Sequence, residues 1–517
     1  MKRFPLIVIV APLLYLLLFY SEGHAQARLL STPSLGAKAD IVLSQIPSNT
    51  VSQTMIRGNL VWIGTGKGVA RSSDGGRTFV SYRNVPQFAR PGIFAMDVKG
   101  DTIWCATVYV EETSVAGNVQ TGTGYAYSFD NGGSWHSAPQ PLDSQADTAV
   151  AYGSNIIHFL PITVPEQNVT FRLDVTDSAV WIASWSSGLR KSTDNGATWK
   201  RIVLPSDTLS SISPNDALSG YVVDPRVSNN FLLFSVFVQS PSVVWAGSAG
   251  GINRSLDGGL SWAKFTATNE VNHVLANWVV AIRGQRRASG TRIWTANWPA
   301  ASASETYSVS FTDDSGMTWK NSLVGVKAYD FAFKDSLVYV ATDQGLFRSS
   351  NAGVSWVMSG SIVDPARGNE ITSPAFYAVS VMGDTVYGGN ADGLVKTVDN
   401  GTNPFGARWD VLRTSQPVGT LSATYSYPNP FSPKHEIVRF HYKISQPSAT
   451  VTIEVFDFGM NRIKTVLRDA PRGGAQERDE IWDGRDETGS LVLNGVYFYR
   501  VTISGGDPAW GKVMVIQ

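Results

Sequence analysis

From about residue 40 to residue 412 the chain alternates short apolar phrases with tight polar turns. One phrase alternates apolar and polar positions as a strand does, clearest in FAMDVKGD, FRLDVTDS, YDFAFKDS and YAVSVMGD. A second follows it: NLVWIGT, DTIWCAT, SAVWIAS, SVVWAGS, TRIWTAN, SLVYVAT and DTVYGGN, with aromatics at Trp62, Trp104, Trp181, Trp245, Trp294, Tyr339 and Tyr387. Then comes a turn: RSSDGGRTF, YSFDNGGSW, KSTDNGATW, RSLDGGLSW, FTDDSGMTW and RSSNAGVSW, with a damaged seventh copy beginning KTVDNG. Each unit reads strand, short turn, strand, loop, strand, turn, short strand, which is a four-stranded antiparallel sheet. Seven such units predict an all-β fold, a seven-bladed β-propeller, in which radial repetition protects the sheet edges.

The repeated turn has a physical logic. A hairpin turn leaves backbone N–H groups without ladder partners, and an Asp carboxylate accepts them locally. The glycine supplies a positive φ, and the closing Trp or Phe buries its ring against the blade. Asp74, Asp130, Asp194, Asp257, Asp314, Asn351 and Asp399 are thus expected to stabilise the fold and take no part in chemistry. The pattern resembles the Asp-box, or bacterial neuraminidase repeat, of sialidases, sortilin-type receptors, xyloglucanases and photosystem assembly propellers. Five copies match in full: Ser72–Phe79, Ser128–Trp135, Ser192–Trp199, Ser255–Trp262 and Thr312–Trp319. The sixth carries Asn351 for Asp, and the seventh gains five residues before Trp409.

Antiparallel order puts these turns on one face and the long insertions (108–124, 137–168 and 200–229) on the other, which makes the loop-rich face the expected binding face. Along the innermost strands, alternation sends Phe94, Phe171 and Tyr329 to the blade core and Ala95, Asp97, Arg172, Asp174, Asp330 and Ser380 to a polar, wet central channel, with Gln53 from the first unit. Asp97, Asp174 and Asp330 are the candidate carboxylates for acid–base hydrolysis, and Arg172 is a candidate ligand contact. Trp185, Trp298 and Tyr109 fall on the rim, where exposed rings would stack on sugars or grip a peptide. Trp278 matches Phe171 in register. Residues 39–44 (ADIVLS) are expected to complete the seventh blade as its outer strand.

Composition narrows the class. Lys+Arg and Asp+Glu both total 42, which gives no basis for capturing nucleic acid. Lys2 and Arg3, an apolar run and an A-x-A-like site at Ala25–Ala27 read as a signal peptide over residues 1–27, and no later stretch is apolar enough to span a membrane. The single Cys105 allows no internal disulfide and reads as a small buried side chain. No cofactor motif or metal-ligand spacing is present, so no cofactor or metal is expected.

The propeller is expected over 28–421 and a small Ig-like β-sandwich over 422–517, where Ile437–Ile444, Thr450–Asp457 and Val496–Ile503 alternate as strands. Tyr427-Pro428-Asn429-Pro430-Phe431, Asp457 to Gly459, Trp482-Asp483-Gly484 and Gly489 through Tyr499 resemble the flagellar hook-capping-protein Ig-like fold and the type IX secretion C-terminal sorting domain. That resemblance implies export through outer-membrane secretion machinery to the cell surface or medium. The chain ends in Gln517, whereas many sorting domains end in a basic residue. The expected function is binding of a glycan or protein ligand on the loop-rich face without turnover. The alternative is a secreted glycoside hydrolase, sialidase-like or xyloglucanase-like, although the sequence has neither an Arg-Ile-Pro phrase before the first turn nor a second propeller.

Overall fold

The computed structural model describes residues 41–43 and 46–413, apart from loop stretches at 83–84, 89–91, 114–116, 270–271, 301, 366–368 and 403. It also describes 424–517, apart from 435–436, 445 and 474–476. The expected signal peptide lies outside the described residues. The chain divides into two units, one ending near residue 415 and the other running to the C-terminus.

The first unit is a seven-bladed β-propeller. Its innermost strands are Val51–Arg57, Ile93–Lys99, Thr170–Val175, Leu233–Val238, Trp278–Arg287, Ala328–Lys334 and Phe376–Met382. Each begins an antiparallel sheet whose next three strands follow in sequence order. The sequence phrases land where the pattern puts them, with the VWIG-like phrases as fully buried second strands.

The two repeated phrases recur together for a structural reason. The second-strand aromatic of one blade packs against the turn glycine of the next. A Cβ on Gly259, at φ +97°, would sit 2.7 Å from the Trp181 ring. Gly132 meets Trp62, Gly196 meets Trp104 and Gly353 meets Trp294 in the same way. The glycine thus serves both the turn conformation and the close approach. Within the turn, the Asp74 Oδ1 accepts the Arg77 and Thr78 N–H groups at 2.9 Å, its Oδ2 accepts the Thr78 hydroxyl at 2.7 Å, and the Ser72 hydroxyl accepts the Gly76 N–H at 2.8 Å. The pattern returns at Asp130, Asp194, Asp257, Asp314 and Asn351. These bonds hold the Asp74, Asp130 and Asp194 carboxyls down at about 2, against whatever desolvation they suffer.

The seventh turn differs. Asp399 is 2 % exposed and turns toward blade 6, where it takes the Tyr339 hydroxyl and Arg348 Nε at 2.9 Å. Thr397 bonds the Arg408 carbonyl instead. The five-residue insertion has removed the closing Ser/Thr that would hold the carboxylate inside its own turn.

Ring closure also departs from expectation. Ile41–Leu43 pairs with Phe79–Ser81, the outer strand of blade 1, so it does not complete blade 7. Blade 7 already has four strands of its own, ending in Asp410–Leu412. The ring closes through the same joint used elsewhere: the Tyr387 hydroxyl donates to the Gly75 carbonyl at 3.2 Å, and its ring lies 3.5 Å from where a Gly76 Cβ would be.

Parts of two long insertions leave the loop-rich face, although 165–168 stay beside the blade 2 ribbon, where the Gln167 N–H donates to the Gln120 carbonyl at 2.8 Å. Ala149–Tyr152 and Asn155–Phe159 form a hairpin, and Val222–Val223 joins it in parallel. This satellite sheet packs with Trp181, Leu189, Ile202 and Trp262 on the wall of blades 3 and 4. The Tyr152 hydroxyl reaches the Leu260 carbonyl in the turn on the opposite face, at 2.6 Å. Asp143 fastens it, held between Arg190 and Arg201 at 2.8 Å each. Burial alone would raise the Asp143 carboxyl, but the two guanidiniums and the Ile162 N–H bring it below its ordinary range.

The second unit has a three-stranded sheet (Thr424–Tyr427, Val438–Lys443, Glu477–Trp482) and a four-stranded one (Ser448–Phe456, Arg462–Gly473, Gly495–Ile503, Ala509–Val515). The two share a core of Phe440, Tyr442, Val451, Ile453, Trp482, Tyr499 and Val513.

Candidate functional site

All seven inner strands break register near their start, six of them one residue in and the strand that begins at Trp278 two residues in. The extra residues are Ser52, Phe94, Phe171, Phe234, Val280, Tyr329 and Tyr377. A bulge leaves one residue unpaired and re-aims the strand. Simple alternation therefore misplaces Phe94, Phe171 and Tyr329. They do not lie in separate blade cores but meet their counterparts in adjacent blades around the mouth of the channel. Ring centroids lie 5.0 Å apart for Phe94–Phe171, 5.4 Å for Phe171–Phe234 and 5.7 Å for Tyr329–Tyr377. Val280 takes the place that alternation gives to Trp278, which pairs with Trp298 and is buried. Phe171, Tyr329 and Tyr377 keep part of their surface exposed.

The expected rim tryptophans are buried beneath this belt. Trp185 packs with Leu232, Phe234 and Trp278. Trp298 is 2 % exposed and its indole N–H donates to the Ala328 carbonyl at 2.8 Å. Neither offers a free face for a sugar ring, because the bulged belt covers them. Tyr109 stands on the ribbon Thr102–Thr113/Gly117–Ser128, and its hydroxyl donates to Glu111 at 2.8 Å. It is not part of the belt.

Below the belt the channel is polar, as expected, but it is bridged by side chains. Arg172 reaches from blade 3 to Gln53 of blade 1 and to Asp330 of blade 6, both at 3.3 Å. Arg283 of blade 5 holds the same Asp330 at 2.9 Å. Asp330 is 3 % exposed. Burial pushes its carboxyl up, and Arg283 pulls it part of the way back. Arg283 sits where blades 2 and 3 carry Asp97 and Asp174, and aligning AIRGQ with AMDVK and RLDVT would have found it.

Asp97 and Asp174 do a repeated job. An innermost strand has an unpaired backbone edge, and the next blade's edge is close enough to be tied. Asp97 accepts the Val175 N–H at 2.8 Å, and Asp174 accepts the Val238 N–H at 2.9 Å. The Gln53 amide donates to the Phe94 carbonyl at 2.9 Å and Ser235 to the Val279 carbonyl at 2.9 Å, in the same sense. Burial raises the Asp174 carboxyl well above its ordinary range, and the Asp97 charge adds to this. Burial raises Asp97 too. The sequence named these carboxylates but could not show that their oxygens are already engaged in blade-to-blade bonds.

Among the described residues no group of three or more His, Cys, Asp or Glu could hold a metal, and no helix is long and apolar enough to cross a membrane. The fold defines a β-propeller with an aromatic mouth above a charged channel. No family model matches the chain, and no curated protein matches it. Solved structures similar to it are propellers at low identity. YCF48 from Cyanidioschyzon merolae is 16% identical, over 69% of this chain and 97% of its own, with a TM-score of 0.42. A GH74 enzyme of Niastella koreensis is 11% identical, over 93% and 74%, with a TM-score of 0.49. PorZ, a surface component of the type-IX secretion system of Porphyromonas gingivalis, is 13% identical, over 91% and 66%, with a TM-score of 0.35. These likenesses concern the fold.

Proposed function

We propose that this chain is an exported, non-catalytic propeller that binds a peptide segment of a protein partner at its loop-rich mouth. The observation that carries the reading is the bulged aromatic belt: partly exposed Phe171, Tyr329 and Tyr377 ring the channel, and the bulge at each inner strand leaves backbone groups outside the ladder. A glycan is the less favoured ligand, because Trp185 and Trp298 are covered. The hydrolase alternative is disfavoured by the ties on Asp97, Asp174 and Asp330. In this reading the repeated turns are Asp-boxes, residues 1–27 are a signal peptide, and the propeller occupies 28–421. Residues 422–517 are an Ig-like sorting domain that meets outer-membrane secretion machinery and delivers the protein to the cell surface or medium.

The test presents the full chain to a peptide array and to immobilised glycans, and measures retention together with released reducing sugar. Peptide retention that falls at least tenfold in Tyr329→Ala and Tyr377→Ala supports the proposal. Released sugar that vanishes in Asp174→Asn would overturn it.

A further inference from the structure

Lys327 stands just before the inner strand of blade 6, at the mouth, and is 8 % exposed. No hydrogen-bond acceptor or carboxylate among the described residues reaches its ammonium. Its surroundings are rings: Trp298 at 4.2 Å, Tyr329 at 5.6 Å and Tyr307 at 5.9 Å from the centroids. Lys264, also buried at 3 % exposure, shows the usual solution, with its Nζ donating to the Ser206 carbonyl at 2.6 Å.

The acids of this corner, Asp343 and Glu305, have their hydrogen bonds elsewhere. Asp343 accepts the backbone N–H of Lys327 at 3.2 Å; its charge acts on the ammonium from a distance but makes no ion pair with it. Glu305 takes the Asn277 amide and the Ala300 N–H, both at 2.6 Å. Cation–π attraction offsets part of the cost of burying a charge but supplies no acceptor for its three donors. Burial lowers the Lys327 pKa from its usual value, and the Asp343 charge opposes this only in part.

The same corner carries more donors. Among the described residues the hydroxyls of Tyr307, Tyr329 and Tyr377 have no hydrogen-bond partner, while Trp298 Nε1, spent on Ala328, fixes the ring under the lysine. Tyr329 links the group, with ring centroids 5.3 Å from Trp298 and 5.7 Å from Tyr377. One ammonium and three phenols, with no acceptor in hydrogen-bond reach among the described residues, match an anion with several lone pairs. A carboxylate entering here would gain a charge-assisted bond in a site already desolvated, with little reorganisation.

We propose that Lys327, Tyr307, Tyr329 and Tyr377 form a carboxylate-binding subsite of the mouth, which takes an Asp, Glu or C-terminal carboxylate of the bound peptide. This deepens the peptide reading and rests on it for the nature of the ligand.

Two measurements on the full chain test it. In the first, 13C-labelled lysine signals are followed by NMR, with the Lys327 ε-carbon signal assigned by its loss in Lys327→Met. N-acetylglutamate should shift that signal saturably and raise the pH at which it titrates, and N-acetylglutamine should not. Equal response to both would overturn the subsite. In the second, a labelled peptide retained by the array is compared as Glu and Gln versions. The Gln version should bind at least tenfold more weakly, Lys327→Met should erase the difference, and Lys327→Arg should restore part of it. Glu and Gln versions that bind alike sink the subsite and leave the peptide reading standing. A carboxylate response at Lys327 without any retained peptide sinks the peptide reading alone.

Discussion

Replacing Asp330 with Asn removes the single negative charge that two guanidiniums share across the channel. The side chains of Asp330, Arg172 and Arg283 are 4%, 9% and 19% exposed, so water screens little of the resulting repulsion. Removing one partner of a buried pair costs about 3–5 kcal/mol, and here two cations are left facing each other. With an unfolding entropy of roughly 2.1 cal/mol/K per residue, the body spanning residues 46–413 loses about 0.8 kcal/mol per kelvin, so Tm should fall by about 4–6 °C. Differential scanning calorimetry at low and high salt provides the assay. A double-mutant cycle with Arg172→Met should recover about 0.5–3 kcal/mol of coupling. If Asp330→Asn melts within 1 °C of the parent, or if the cycle is additive, Arg172 does not bridge the channel and the account of the network is wrong.

Other outcomes follow from the same geometry. Asp174 is raised in the folded state, so the native protein binds its proton more tightly than the unfolded chain does. Its ionisation costs stability as pH rises through the raised value, and Asp174→Asn, which keeps an acceptor for Val238, should melt higher than the parent at pH 7 and lose that advantage below about pH 4. Asp74 and Asp130 have the opposite sign: their contribution is complete above their unfolded value near 4 and is lost as pH falls toward about 2, so an acid melt should steepen in that window. Asp399→Ala should cost about 3 kcal/mol because it strands the buried Tyr339 hydroxyl and the half-buried Arg348, while Asp130→Ala on the exposed turn costs about 1 kcal/mol, as urea titration would reveal. Gly259→Ala should cost more than about 1 kcal/mol through positive φ and the Trp181 contact, and wild-type stability would refute the joint between the two repeated phrases.

Much of the candidate site was legible residue by residue, but its arrangement was not. Asp97, Arg172, Asp174 and Asp330 were found because polar positions stand out in apolar strands, and all four do face the channel region. Their partners were hidden, since Arg172 and Asp330 lie 158 residues apart and meet only when the ring closes. Lys327 gave no signal at all, because a lysine next to a strand normally reads as solvated. Trp185 and Trp298 were misjudged as exposed because one register shift per blade decides which rings lie on top.

By itself the sequence determined the fold, because each blade is built from contiguous residues whose strands, turn chemistry and glycines are local properties repeated seven times. Only the tertiary structure decided which faces are open and which charges are paired. Bulges re-aim side chains without changing the apolar pattern. The satellite sheet carries parts of two long insertions down the outer wall. The seventh turn yields its carboxylate to blade 6. Each of these depends on contacts between blades, and contacts between chain segments far apart leave no local pattern to read.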